Sequence, residues 1–87
     1  MFVPGDGGGG SEKRIGEQTG NNCIAACISL KKKDNRINGV TIRKDGKAGC
    51  WCEYGMTKVA GNANVYKTCF LKVKGKEASF SQSYICF

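Results

Sequence analysis

Two stretches, Cys23-Ile24-Ala25-Ala26-Cys27 and Cys50-Trp51-Cys52, decide how this chain folds. The first sets two cysteines four residues apart, which on a helix puts both on one face, one turn from each other. The second sets two cysteines two residues apart, which on a strand again means one face, with a spacing of about 6.5–7 Å. The two steps nearly match. A helix carrying Cys23 and Cys27 can therefore be bridged to a strand carrying Cys50 and Cys52 across a single interface. Cys23–Cys50 with Cys27–Cys52 is the preferred pairing; the reversed pairing holds if the helix runs the other way. Cys69 and Cys86 are then left for each other, although spacing alone does not exclude the other connectivities open to six cysteines.

Around these stretches the chain reads as α+β. Thr19-Gly20-Asn21-Asn22 offers helix-capping side chains. Cys23, Ile24, Cys27 and Ile28 then share a helical face up to about Lys31. Ile37–Arg43 (INGVTIR) is rich in β-branched residues and predicts a strand. Lys44-Asp45-Gly46-Lys47 predicts a tight turn, Ala48–Tyr54 its partner strand, and Gly55–Asn64 a loop. Val65–Val73 (VYKTCFLKV) is the best strand pattern in the chain. A turn over Lys74–Glu77 leads to a last strand within Ser79–Phe87. A short first strand is expected within residues 12–18. The expected architecture is one helix disulfide-linked to an antiparallel sheet of about four to five strands. Residues 1–11 (MFVPGDGGGGS) are expected to be a flexible tail, since a glycine run loses the most backbone entropy on ordering, and 12–87 a single disulfide-rich domain.

The chain has 87 residues, six cysteines, no histidine and a formal net charge of +7. A domain this small buries a thin core, and disulfides are the usual remedy in secreted proteins. An oxidising, extracellular location is therefore expected. No signal-peptide pattern is visible, so the chain reads as a mature form with Met1 added for expression. No apolar run approaches bilayer-spanning length. Structural zinc prefers wider cysteine knuckles and often histidine, and a redox dithiol prefers Cys-x-x-Cys; neither pattern is present, and no cofactor or metal is expected. Without histidine, and with paired cysteines, a nucleophile and its base are hard to assemble. A carboxylate pair such as Glu12 with Glu17, or Asp45 with Glu53, is formally open as an acid–base site, and the chain is read as a non-enzyme.

The positive charge is clustered: Lys31, Lys32, Lys33 and Arg36 at the helix end, Arg43, Lys44 and Lys47 at the first hairpin turn, and Lys72, Lys74 and Lys76 at the second. Turns at one end of a sheet merge into one anion-binding edge. If Cys50 and Cys52 face the helix, Trp51 faces away, and Tyr66 and Phe70 share that second face. Trp51 and Tyr66 are expected beside the basic edge, as recognition residues or as a second small core under a loop or the N-terminal strand. No RNP-like motif or recognition helix is present, so nucleic acid is not expected as a partner.

Cys23-Ile-Ala-Ala-Cys27, Asn38-Gly-Val-Thr-Ile42 and Gly49-Cys-Trp-Cys-Glu-Tyr-Gly-Met56 together resemble the core of PAN/apple domains, in which a C-x3-C helix is followed by a strand and a cysteine-containing hairpin. The segment through Tyr66-Lys-Thr-Cys-Phe-Leu71 is also similar to small extracellular modules of marine invertebrate proteins. The resemblance spans roughly residues 12–73. It departs from the family pattern in lacking a cysteine near Asn38 and in adding Cys52. It implies a secreted fold with a helix cradled by an antiparallel sheet, serving adhesion and the binding of proteins or carbohydrates, including heparin. Cysteine-stabilised αβ peptides share the C-x3-C helix and C-x-C strand but are usually about half this length. The expected function is a secreted binding module for an anionic, heparin-like glycan or an acidic extracellular protein. The alternative is a cationic host-defence or toxin peptide acting on membranes or channels.

Overall fold

In the computed structural model, which describes residues 1–73 and 84–87, one helix packs on a sheet whose strands all pair antiparallel. In chain order the elements are β1 (Val3–Pro4), β2 (Asp6–Gly8), β3 (Ser11–Gly16), α1 (Gly20–Lys31), β4 (Ile37–Arg43), β5 (Cys50–Tyr54), β6 (Lys58–Ala60), β7 (Tyr66–Val73) and β8 (Tyr84–Cys86). The main sheet runs β1-β7-β4-β5-β3, with β8 also pairing with β7, while β2 and β6 form a separate two-stranded ribbon. The turn expected over 74–77 and residues 79–83 of the expected last strand lie outside the described residues.

Three disulfides hold this arrangement: Cys23–Cys50, Cys27–Cys52 and Cys69–Cys86, with Cα separations of 5.5, 5.6 and 5.3 Å. Cys23 precedes Cys27 and Cys50 precedes Cys52, so α1 runs in the same sense as β5. A helical step of four residues rises about 6 Å, which keeps pace with the strand step. The nearly equal Cα separations of the two helix–sheet bridges follow from that match. Opposite Cys52 on β4 stands Val40, and opposite Cys50 stands Ile42. These residues, with Ile37, Cys69 and Leu71, complete the buried cluster under the helix. Five of its nine members are half-cystines, so the core is built from sulfur as much as from hydrocarbon.

Ile24 and Ile28 pack against the edge of this cluster as the helical spacing predicts. Thr19 is the residue preceding α1 and has extended backbone angles, but its side chain makes no capping bond; its carbonyl instead accepts the amides of Asn22 and Cys23. The Lys44–Lys47 turn follows β4 directly, and Gly46 occupies the left-handed region at φ 78° that tight turns reserve for residues without a Cβ.

The glycine-rich segment is not the unstructured tail expected of it. Val3 and Pro4 pair with Thr68 and Lys67 of β7, and Asp6, Gly7 and Gly8 pair with Ala60, Val59 and Lys58 of β6. Residues 58–60, expected to be loop, are therefore a strand because the N-terminal segment supplies their partner. This N-terminal strap crosses the sheet face opposite the helix. It fits there because of its glycines: a Cβ on Gly7 would stand 2.5 Å from the Glu53 carboxyl carbon and 2.6 Å from Met56 Sδ. Met56 is fastened in turn by Asn38, whose side-chain amide donates to Met56 O while its Oδ1 accepts the Met56 amide, both at 2.8 Å. The sheet thus has cover on both faces, apolar and disulfide-rich on one, glycine-rich and polar on the other. β4, at its centre, is buried along nearly its whole length.

Replacing a helix–sheet bridge, as in Cys27→Ala/Cys52→Ala, removes fully buried sulfur and a loop constraint together. It is expected to lower unfolding free energy by about 2–4 kcal/mol or more, read by urea denaturation. Cys69→Ala/Cys86→Ala, with the half-exposed Cys86 at the sheet edge, should cost less.

Candidate functional site: a cationic cleft beside the helix N-terminus

β4 carries the chain about 20 Å from Ile37 to Arg43, and this length separates the basic residues. At its far end the Lys44–Lys47 turn comes back to the start of α1. Thr19, Gly20, Arg43, Lys44, Lys47 and Lys67 line a cleft of about 250 Å³ there. Lys44 and Lys47 are exposed and Lys67 half-exposed. The first amides of α1 lie at the same place, where a helix carries partial positive charge. Arg43 is partly neutralised by Asp45, whose carboxylate accepts from the guanidinium at 2.7 Å and also accepts the Lys47 amide. The Arg43 guanidinium beside it holds the Asp45 carboxyl well below the usual range, at about 2. Arg43 is tied to Asp45; Lys44, Lys47 and Lys67 supply the remaining charge at this cleft.

The other expected basic residues do not join this group. Lys32, Lys33 and Arg36 stand at the opposite end of β4. Lys72 falls at that same end, two residues beyond Phe70, which pairs with Gly39; its ammonium lies 4.3 Å from the Phe87 ring centre. Lys74 and Lys76 lie outside the described residues. Among the described residues the single basic edge expected from the sequence is therefore two separate groups, because a hairpin turn and a helix end lie at opposite ends of the strand that joins them. Arg36 is bonded to Asp34 at 2.7 Å and sits over the Tyr54 ring.

Lys31, expected in the basic cluster at the helix end, is instead turned into the protein. It is one of the three buried residues of α1. Cys23, Cys27 and Lys31 follow one another at steps of four, so Lys31 belongs to the inward face. Its ammonium donates to Ile37 O and to the Asn35 carbonyl and side chain, and lies over the Tyr84 ring. Burial pushes its pKa down. It closes the α1–β4 connection and is unavailable to a ligand.

Trp51 does face away from the helix. It is half-buried, meets Tyr66 edge-to-face with ring centres 5.5 Å apart, and carries the Arg14 guanidinium over its ring. Arg43 pairs with Tyr66 in the β4–β7 register, so the aromatic pair adjoins the cleft through that arginine. The strap covers the neighbouring part of the same face, over Glu53 and Thr68. Two members of this site were not singled out from the sequence. Lys67 has the same strand parity as Cys69, which places it on the helix face, and this was legible. Arg14 meets Trp51 only through the β3–β5 register, which no local pattern encodes.

All six cysteines are in disulfides, so no thiolate remains for zinc ligation or thiol chemistry. The carboxylates that come together are neither Glu12 with Glu17 nor Asp45 with Glu53. Among the described residues they are Asp6, Glu12 and Glu53, whose oxygens lie within 4.8 Å of one another, with Glu53 buried at 2% exposure. No protein-family model, curated protein or solved structure matches this chain. The likeness to PAN/apple modules accordingly rests on the quoted residues.

Lys31→Met keeps the aliphatic stem but leaves the Ile37 carbonyl without its donor. It should cost about 1–3 kcal/mol of stability in urea unfolding, whereas Lys32→Met, on the exposed side, should change stability by less than about 0.5 kcal/mol.

Proposed function

We propose that this protein is a secreted, non-enzymatic recognition module that binds an anionic glycan of heparin type, or a similarly acidic extracellular protein, at the cleft beside α1. The observation that carries this reading is the convergence of Lys44, Lys47 and Lys67 on the positive end of the helix. Sulfate and carboxylate groups are stabilised both by ammonium groups and by unpaired helix N-terminal amides. The Trp51–Tyr66 pair next to Arg43 extends the cleft with a partly exposed aromatic surface, of the kind that anchors partners. Three disulfides in a domain of this size are typical of extracellular proteins, which supports a secreted location. No described helix is long and apolar enough to cross a membrane. With the strap closed Glu53 is only 2% exposed, so the Glu12–Glu53 pair is a poor acid–base site.

Binding built on exposed lysines weakens as salt shortens the Debye length. Heparin affinity should therefore fall several-fold between low and physiological ionic strength. Lys44→Ala/Lys47→Ala/Lys67→Ala should lose about tenfold or more, equivalent to about 1.4 kcal/mol. Lys32→Ala/Lys33→Ala, at the other end of β4, should stay within about threefold of the parent protein. A flat salt response, or equal losses in both variants, would remove the proposed site. Strong leakage from anionic vesicles would instead favour the membrane-active alternative.

A further inference from the structure

Beneath the strap, four oxygen atoms stand in line: Glu53 Oε2, Thr41 Oγ1, Thr68 Oγ1 and the Gly5 carbonyl oxygen. Successive separations are 2.7, 2.8 and 2.9 Å. Each is a hydrogen-bond distance, and Thr41, Glu53 and Thr68 are all buried. Three links require three protons. The two threonine hydroxyls bring one each, and the Gly5 carbonyl brings none. The third proton has one place to sit within the chain, on Glu53.

We propose that Glu53 is a neutral carboxylic acid in the folded protein, and that its proton completes the hydrogen-bond chain tying the N-terminal strap to the sheet, which makes attachment of the strap dependent on pH. Glu53 donates to Thr41, Thr41 donates to Thr68, and Thr68 donates to Gly5 O. When Glu53 ionises, Thr41 turns its proton to the carboxylate. Thr68 must then choose between Thr41 and Gly5, and one buried link is lost.

The burial and the neighbouring carboxyl groups act in the same direction. Glu12 faces Glu53 from β3 and Asp6 reaches it from the strap, so Glu53 has two other carboxyl groups beside it. The cations on neighbouring elements are otherwise placed: Arg14 is stacked over Trp51, and the Lys58 stem on β6 lies along Gly8. Burial pushes the Glu53 pKa up to about 8; the hydrogen bond with Thr41 works against this, and the adjoining Glu12 and Asp6 add to the rise. With the strap open, Glu53 returns towards its ordinary value of about 4.3. The closed state therefore binds more protons than the open one. Closure is strongest at low pH, weakens as pH rises between those two values, and is weakest above the upper one.

The test is an NMR titration of the whole, oxidised protein with a chelator present, following the Glu53 carboxyl carbon and the exchange protection of strap amides. The reporters are the Gly5 amide, bonded to Tyr66 O, the Asp6 amide, bonded to Gly61 O, and the Thr57 amide, bonded to Gly8 O. Glu53 should titrate near pH 8. Strap protection should fall at least about tenfold in step with it, while protection in β4 and β7 holds. Glu53→Gln supplies an N–H donor that cannot ionise, and should keep the strap protected throughout. Thr41→Val, which cuts the chain in the middle, should weaken protection at every pH. A Glu53 that titrates in the ordinary carboxylate range, or strap protection that is flat across the titration in the parent protein, would overturn the proposal. So would a Glu53→Gln protein that loses the strap with the same pH profile as the parent.

Discussion

Everything in this molecule depends on a coincidence of two lengths. A helical step of four residues and a strand step of two cover nearly the same distance. A helix bearing Cys23 and Cys27 can thus be bonded twice to a strand bearing Cys50 and Cys52 without bending either. One such bridge would let the helix swivel about it; two fix its position and direction. With the helix fixed on β5, its inward face must meet β4, and Ile37, Val40 and Ile42 are the residues that meet it. A chain of this size does not bury enough hydrocarbon to hold one arrangement firmly. Here covalent bonds take over part of that task, and the sulfur atoms themselves fill the core.

The second face is organised by different chemistry. It is closed by a strap rich in glycine, because only residues without a Cβ approach Glu53 and Met56 closely enough. What it covers is a row of hydrogen-bonding side chains, Glu53, Thr41 and Thr68. A polar group buried without partners costs more than it returns, so this row is stable only with its bonds complete. The first face thus owes its rigidity to disulfides that do not respond to pH, and the second to protons that do.

The elements with strong local signals were legible in the sequence. The C-x3-C helix, the β-branched run Ile37–Arg43 and the Asp45-Gly46 turn carry their own periodicity or backbone preference, and the structure places them as expected. Spacing favoured one set of helix–sheet bridges while leaving the reversed set open, and the structure has the favoured set. What could not be read was decided by partners distant in the chain. The glycine segment is a poor strand by composition, yet it pairs because β7 and β6 present open edges to it. Lys31 looks like one of three equivalent lysines, but the step of four from Cys27 turns it inward. The basic clusters looked like one surface because a sequence does not display the length of β4 that divides them. Thr41 alternates with Val40 and Ile42 and pairs with Trp51 and Thr68, which turns it away from the helix; its burial there follows only once the strap is known to cross that face.

The pairing of the sulfurs is the claim on which the rest stands, and disulfide mapping of the unreduced protein tests it directly. Cleavage after Trp51 separates Cys50 from Cys52, and cleavage at Ala25 or Ala26 separates Cys23 from Cys27. Mass spectrometry of the fragments should find Cys23 joined to Cys50, Cys27 to Cys52 and Cys69 to Cys86. Free thiols at Cys23 or Cys27, a bond between those two, or the crossed pairing of Cys23 with Cys52 would contradict the account.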